Sequence, residues 1–137
     1  PSAERFGVLM RRTDPLAQKT SIAMEDLWDK PLILSRQHRA GSALSMWLKR
    51  EEADLNIVAT YSLLYNGSIL VDEGLGYAIT LDKIINTQGG NLCFRPLIPT
   101  LQAGLCVVWK KYQVLTKASE LFLNTLQSNL ETAESEA

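Results

Sequence analysis

An α/β fold, a mostly parallel sheet flanked by helices, is what this sequence predicts. Short β-rich runs alternate with segments of helical period, and the connections between them are brief. The 137 residues, 46% hydrophobic and 21% charged, are enough for one core of ordinary depth without metals or disulfides as staples.

Arg5 to Arg12 (RFGVLMRR) opens the chain as a short apolar run that stops at Asp14-Pro15, since proline lacks a donor and restricts the residue before it. Met24 to Trp28 fits one helical turn, and Pro31 to Ser35 (PLILS) has the length of a second strand. Ala43, Leu44, Trp47 and Leu48 recur at helical spacing, so Ser42 to Ala53 reads as an amphipathic helix with Ser42 as its N-cap. Leu55 to Thr60 (LNIVAT) gives a third strand. It leads into a helix from an N-cap at Ser62 to Glu73, with Gly74 suited to the left-handed position that ends it.

Gly76 to Leu81 (GYAITL) is the fourth strand, Asp82 to Ile85 a short helical turn, and Gln88-Gly89-Gly90-Asn91 an exposed loop. Leu92 to Leu97 and Leu105 to Lys110 are further extended runs. From Thr116 onward Ala118, Leu121, Phe122 and Leu126 mark a terminal helix, expected to fray into an acidic tail over residues 129–137.

Composition excludes several functions. A net charge of −1 without a long Lys/Arg run leaves no footprint for a phosphate backbone, so these residues are not expected to bind DNA themselves. No apolar run reaches the roughly 20 residues that span a bilayer, and nothing at the N-terminus resembles an export signal, so a cytoplasmic protein without membrane attachment is expected. Cys93 and Cys106 lie in apolar runs without metal spacing and read as reduced core thiols. His38, the one histidine, has no nucleophile beside it in a known signature. With no G-x-S-x-G, H-E-x-x-H or Walker loop either, the chain is not expected to be an enzyme, nor to carry a cofactor or catalytic metal. Gly74-Leu75-Gly76 follows a helix and lacks a third glycine, so it reads as a helix end rather than a nucleotide loop.

In sheets of this class ligands lie beyond the carboxyl ends of the strands. After the second strand comes Ser35-Arg36-Gln37-His38-Arg39, followed by the start of the Ser42 helix, whose free N–H groups with an arginine fork would suit a carboxylate or phosphate. On spacing alone an exposed polar loop is the simpler account. Thr60, Tyr61 and Ser62 hold the equivalent place after the third strand, and two such strand ends make a pocket hypothesis. Tyr77 could face the same crevice, and a buried aromatic in the sheet fits it as well.

The run Arg5 to Arg12, Asp14-Pro15-Leu16-Ala17, and Glu25-Asp26-Leu27 ahead of Pro31-Leu32-Ile33-Leu34 resembles the effector-binding domain of LysR-type transcriptional regulators. So do Val71-Asp72-Glu73-Gly74-Leu75-Gly76-Tyr77-Ala78, Phe94-Arg95-Pro96-Leu97 and Val107-Val108-Trp109-Lys110-Lys111. These pieces occur in the family's order, over residues 5 to about 127.

The resemblance implies an effector domain of two subdomains like those of type 2 periplasmic solute-binding proteins, joined by two crossing strands with the effector between them. On that match residues 5–111 are the second subdomain with both crossing strands, Arg5 to Arg12 and Leu105 to Lys111. Residues 112–128 are a helix returning to a first subdomain largely absent from this chain, and 129–137 a disordered tail. The family's winged helix-turn-helix and linker helix would precede these residues, which marks the chain as a truncated piece whose contact with DNA runs only through that absent part.

The resemblance also implies that Ser35, Arg36, Gln37 and Thr60 line the effector cleft. Arg36 with Arg39 suggests an anionic effector. The partners expected are a small-molecule effector and, in the full-length protein, further copies of itself. A solute-binding protein of a transporter, which shares the fold, is the alternative.

Overall fold

The computed structural model describes residues 3–38, 41–104 and 107–135, the last five by backbone alone. The chain divides into two compact units, one of them Glu4–Ala103 and the other containing the residues from Gly104 onward.

The first unit is built on a seven-stranded sheet with the order β2-β6-β1-β5-β3-β4 and β7 pairing with β1. The strands are β1 Glu4–Arg11, β2 Ile22–Ala23, β3 Leu32–Ser35, β4 Ile57–Tyr61, β5 Tyr77–Leu81, β6 Leu92–Ile98 and β7 Gln102–Ala103. β3 runs parallel to both β4 and β5, and β2 parallel to β6, whereas β1 is antiparallel to β5, β6 and β7. The sheet is therefore mixed. Its parallel block, β5-β3-β4, holds the strand ends that matter for the site. The two-residue strands β2 and β7 have no counterpart in the sequence reading, because so short a run shows no period.

Strand alternation sorts the apolar side chains onto two faces. Val8, Met10, Leu32, Leu34, Ile79, Cys93 and Leu97 pack on one face with Leu44, Trp47 and Leu48 of helix α1, Ala43–Leu48. Leu9, Ile33 and Ala78 pack on the other with Leu64 and Val71 of helix α2, Leu64–Asp72. Cys93 is a free buried thiol, as its apolar run suggests; Cys106 lies outside the described residues.

Both helices are shorter than the sequence predicts. Ser42 caps α1 as expected, its hydroxyl accepting from Ser45 N–H at 3.2 Å, but the helix stops at Leu48 where Lys49 turns left-handed, and a 3-10 turn covers Glu52–Asp54. The charged run 49–52 has no apolar stripe to hold it on the sheet. For α2 the N-cap is Leu63, not Ser62, and no side chain caps that end. Its C-terminus follows expectation: Gly74 has φ +82°, and the Arg11 guanidinium donates from Nε to Asp72 O at 2.8 Å, placing a cation at the negative end of the helix.

The expected turn at 24–28 is a 3-10 turn over Met24–Asp26, whereas Asp82 to Ile85 contains turns and bends but no helix. Three carbonyls converge on Arg95. Its Nε and Nη2 donate to Ala17 O, Nε also to Lys19 O at 2.8 Å, and Nη1 to Phe94 O at 2.9 Å, fastening the Pro15–Gln18 turn to β6.

In the second unit, residues 107–110 form no strand, contrary to the extended run expected from Leu105 to Lys110; Leu105 and Cys106 lie outside the described residues. Val107, Val108 and Trp109 are exposed. Helix α3 spans Lys117–Ser135, so helix continues past residue 128, where fraying was expected. Leu130, Glu131, Ala133 and Glu134 of that stretch are good helix formers.

Candidate functional site

Because β3, β4 and β5 are parallel, their carboxyl ends emerge at one edge of the sheet, and the polar residues that follow them share that edge. A cleft of about 320 Å³ opens there. Leu44, Leu64 and Ile79 give it an apolar floor, and Ser35, Gln37, His38, Tyr61, Ser62 and Thr80 supply hydrogen-bonding groups. Phe6 and Ile84 stand at its sides.

The loop after β3 is held by its own backbone. Arg36 N–H donates to Tyr61 O at 2.8 Å, His38 N–H to Ser35 O at 2.8 Å, and Gln37 N–H to Ser35 Oγ at 3.2 Å. These bonds fix a tight turn that separates Ser35 and Gln37 from Arg36. The first two face the cleft. Arg36 instead lines a neighbouring hollow of about 230 Å³ with Thr60, Glu52 and Ile57, while Ser35 and His38 border both spaces. Arg39 lies outside the described residues.

His38 Nδ1 is 3.3 Å from Ser42 Oγ, which ties the imidazole to the cap of α1. With Ser45 N–H already taken by Ser42 and fewer than two helical turns behind it, the start of α1 is a weaker anion site than the sequence suggested, and recognition falls to side chains. The Tyr61 hydroxyl donates to Ile79 O at 2.9 Å, and burial pushes its phenol pKa up, tempered by the Thr80 hydroxyl. Ser62, relieved of capping, keeps its hydroxyl for the cleft.

Tyr77 does not belong to this edge. It begins β5, opposite Leu32, at the other end of the parallel strands. Its hydroxyl donates to Asp14 Oδ2 at 2.6 Å, in a small hollow with Arg11, Lys30 and Gly76. Burial first, and then the Asp14 carboxylate, push the Tyr77 pKa well up. Of the two places the sequence allows Tyr77, the crevice or the sheet, the crevice is excluded, because a residue at the start of a strand lies a full strand length from a site at the strand ends.

Thr80, Phe6 and Ile84 escaped the sequence reading. Thr80 lies inside an apolar strand, Ile84 lies in the bend that follows β5, and Phe6 reaches the cleft because β1 pairs antiparallel with β5, setting Phe6 against Leu81. Among the described residues no group of three His, Cys, Asp or Glu side chains could hold a metal ion, and no helix is long and apolar enough to cross a membrane.

The chain is similar in structure to HinK, a LysR family transcriptional regulator from Pseudomonas aeruginosa, with a TM-score of 0.71 at 20% identity over 94% of this chain and 46% of that one. It is also similar to the reduced OxyR regulatory domain of the same organism, with a TM-score of 0.56, 25% identity, and coverage of 71% and 48%. The CcmR regulatory domain of Synechocystis PCC6803 matches with a TM-score of 0.61 at 17% identity, over 91% of this chain and 62% of that one. The chain spans about half the length of the HinK regulator it matches. No curated protein matches it. The family description "LysR substrate binding domain" fits residues 2–131, nearly the whole chain, and the chain therefore belongs to the LysR substrate-binding domain family.

Proposed function

We propose that this chain senses a small-molecule effector for a LysR-family transcriptional regulator, binding it in the cleft at the carboxyl ends of β3, β4 and β5. The carrying observation is that 320 Å³ cleft, apolar below and ringed by Ser35, Gln37, His38 and Ser62. Such a lining suits a molecule with a compact apolar body and one hydrogen-bonding head. A negative head is served by the His38 imidazole and by Arg36 from the adjoining hollow. Thr60 contributes from that hollow. The CcmR regulatory domain was solved in complex with 2-PG, which supports a small ligand on this fold.

In the whole regulator, effector binding favours one arrangement of the effector domain over another, and an oligomer of such chains passes that preference to DNA-binding segments outside these residues. The protein works in the cytosol without catalysing a reaction. The family match favours this reading over a transporter's solute-binding protein, which shares the fold.

Thermal melting against a panel of small carboxylates, sugar phosphates and aromatic acids tests the proposal. A ligand at 100 times its Kd adds about 2.7 kcal/mol to a native state that alone binds it. The shift is expected to vanish in Gln37→Ala and to shrink in Arg36→Ala. A shift untouched by Ser35, Arg36, Gln37 and Ser62 substitutions would overturn the assignment.

A further inference from the structure

β5 and β6 both run antiparallel to β1 and flank it, so they are parallel to each other, and the chain from Asp82 to Asn91 must cross β1 to join them. Such crossovers are usually helical, and the helix covers the sheet. This one contains no helix. A cavity of about 450 Å³ lies between the crossover, Leu64 of α2, and the β1 and β6 side chains Leu9 and Phe94.

The crossover is fastened at both ends by arginines near the two ends of β1. Arg5 pairs with Asp82 at 3.4 Å, while Arg12 donates from Nε to Gly90 O at 2.8 Å and from Nη2 to Thr87 O, with its backbone N–H on Asn91 O at 2.7 Å. The cavity is thus a preformed feature of the fold, and its size falls within the roughly 300–1,000 Å³ range of small-molecule sites.

We infer that the cavity under the β5–β6 crossover is a second ligand site, distinct from the strand-end cleft, and that it takes a small carboxylate with an aromatic or branched apolar body. The floor is apolar: Leu9, Leu64 and Phe94, with Ile84 and Ile85 from the crossover. The rim favours an anion. Asp82 pairs with Arg5 at 3.4 Å and accepts from Lys83 N–H at 2.8 Å, whereas Lys83 has no carboxylate partner among the described residues. Asn86 Oδ1 accepts from Gln88 N–H at 2.9 Å, which leaves its NH₂ group as the donor available to a ligand. Leu64, Thr80, Leu81 and Ile84 also line the strand-end cleft, so the two sites share a wall.

Phenylacetate and its neutral isostere phenylacetamide test this on the isotope-labelled chain by two-dimensional amide NMR. Phenylacetate is expected to give saturable shifts over Lys83 to Gln88 and binds about tenfold more tightly than the amide, the usual worth of a hydrogen bond to a charged group. Lys83→Met brings the acid down to the affinity of the amide. Asn86→Trp, at an exposed rim position, fills the cavity and abolishes both responses while the spectrum stays dispersed. Absence of saturable shifts in the crossover, shifts confined to Ser35–Ser62, or an acid affinity unchanged by Lys83→Met would each overturn the inference. Shifts at Asn86, Thr87 and Gln88, which line the crossover cavity and not the strand-end cleft, separate this site from the cleft, with which it shares Leu64, Thr80, Leu81 and Ile84.

Discussion

The ring of Phe94 lies over Gly7: a methyl group at Gly7 would stand 2.1 Å from Cζ of Phe94 and 2.4 Å from the carbonyl oxygen of Arg95. A glycine inside a strand often marks such a close approach, and here it lets the aromatic ring lie against β1 as the floor of the crossover cavity. Gly7→Ala is expected to destabilise the chain by about 1–3 kcal/mol through overpacking. Urea unfolding measures this. Phe94→Leu should recover part of the loss, because the two substitutions share one space and are not additive.

Arg95 is expected to be a structural residue. One guanidinium spans the carbonyls of Ala17, Lys19 and Phe94, which a lysine ammonium, a single point of donation, cannot reproduce. Arg95→Lys should cost about 1–3 kcal/mol by denaturant melts and leave ligand affinity at the strand-end cleft unchanged. An affinity loss without a stability loss would reverse that assignment.

Tyr77 gives the structure an alkaline signature. Its folded pKa lies above the ordinary 10.0, so the folded state holds the phenolic proton more tightly than the unfolded one. The associated stability is fully present below pH 10.0 and declines as the pH rises above it. Tyr77→Phe should flatten this decline in melts taken between neutral pH and the alkaline limit; Tyr61, raised in the same direction, retains its own share. Tyr77→Phe should leave effector binding intact, since its hydroxyl serves Asp14 at the opposite end of the strands.

Asp26 works at the acid end. Burial pushes its carboxyl up, but the Lys19 ammonium at 2.5 Å and the Ala23 N–H at 3.1 Å outweigh that and hold it below the ordinary 3.8. This contribution is present above pH 3.8 and is lost as the pH falls through the lower folded value. Asp26→Asn should lower stability at neutral pH and make the remaining stability less dependent on acid. Equal slopes for both proteins below pH 5 would show that the pair contributes nothing.

The parallel strands, the two helices behind them and the polar ends of β3 and β4 were legible in the sequence because each follows a local rule: β-rich runs, helical spacing, and strand ends rich in hydrogen-bonding side chains. The glycine end of α2 was legible for the same reason, since φ > 0 at Gly74 has a single-residue signature. What escaped depends on pairing. The antiparallel placement of β1 between β5 and β6 puts Phe6 at the cleft and forces the crossover that makes the second cavity, and nothing local encodes it. Ser35, Gln37 and Arg36 are adjacent in sequence, yet a turn held by backbone bonds sends them to different spaces. Tyr77 was misplaced because its neighbourhood in sequence says nothing of which end of the sheet it occupies.

The most direct test of the proposed effector site is a crystal structure of the chain grown with whichever compound of the panel raises its melting temperature most. The compound is expected between Ser35, Gln37 and Ser62, its apolar part on Leu44, Leu64 and Ile79. Density for it elsewhere on the chain, with the strand-end cleft empty, would rule out this cleft as the effector site.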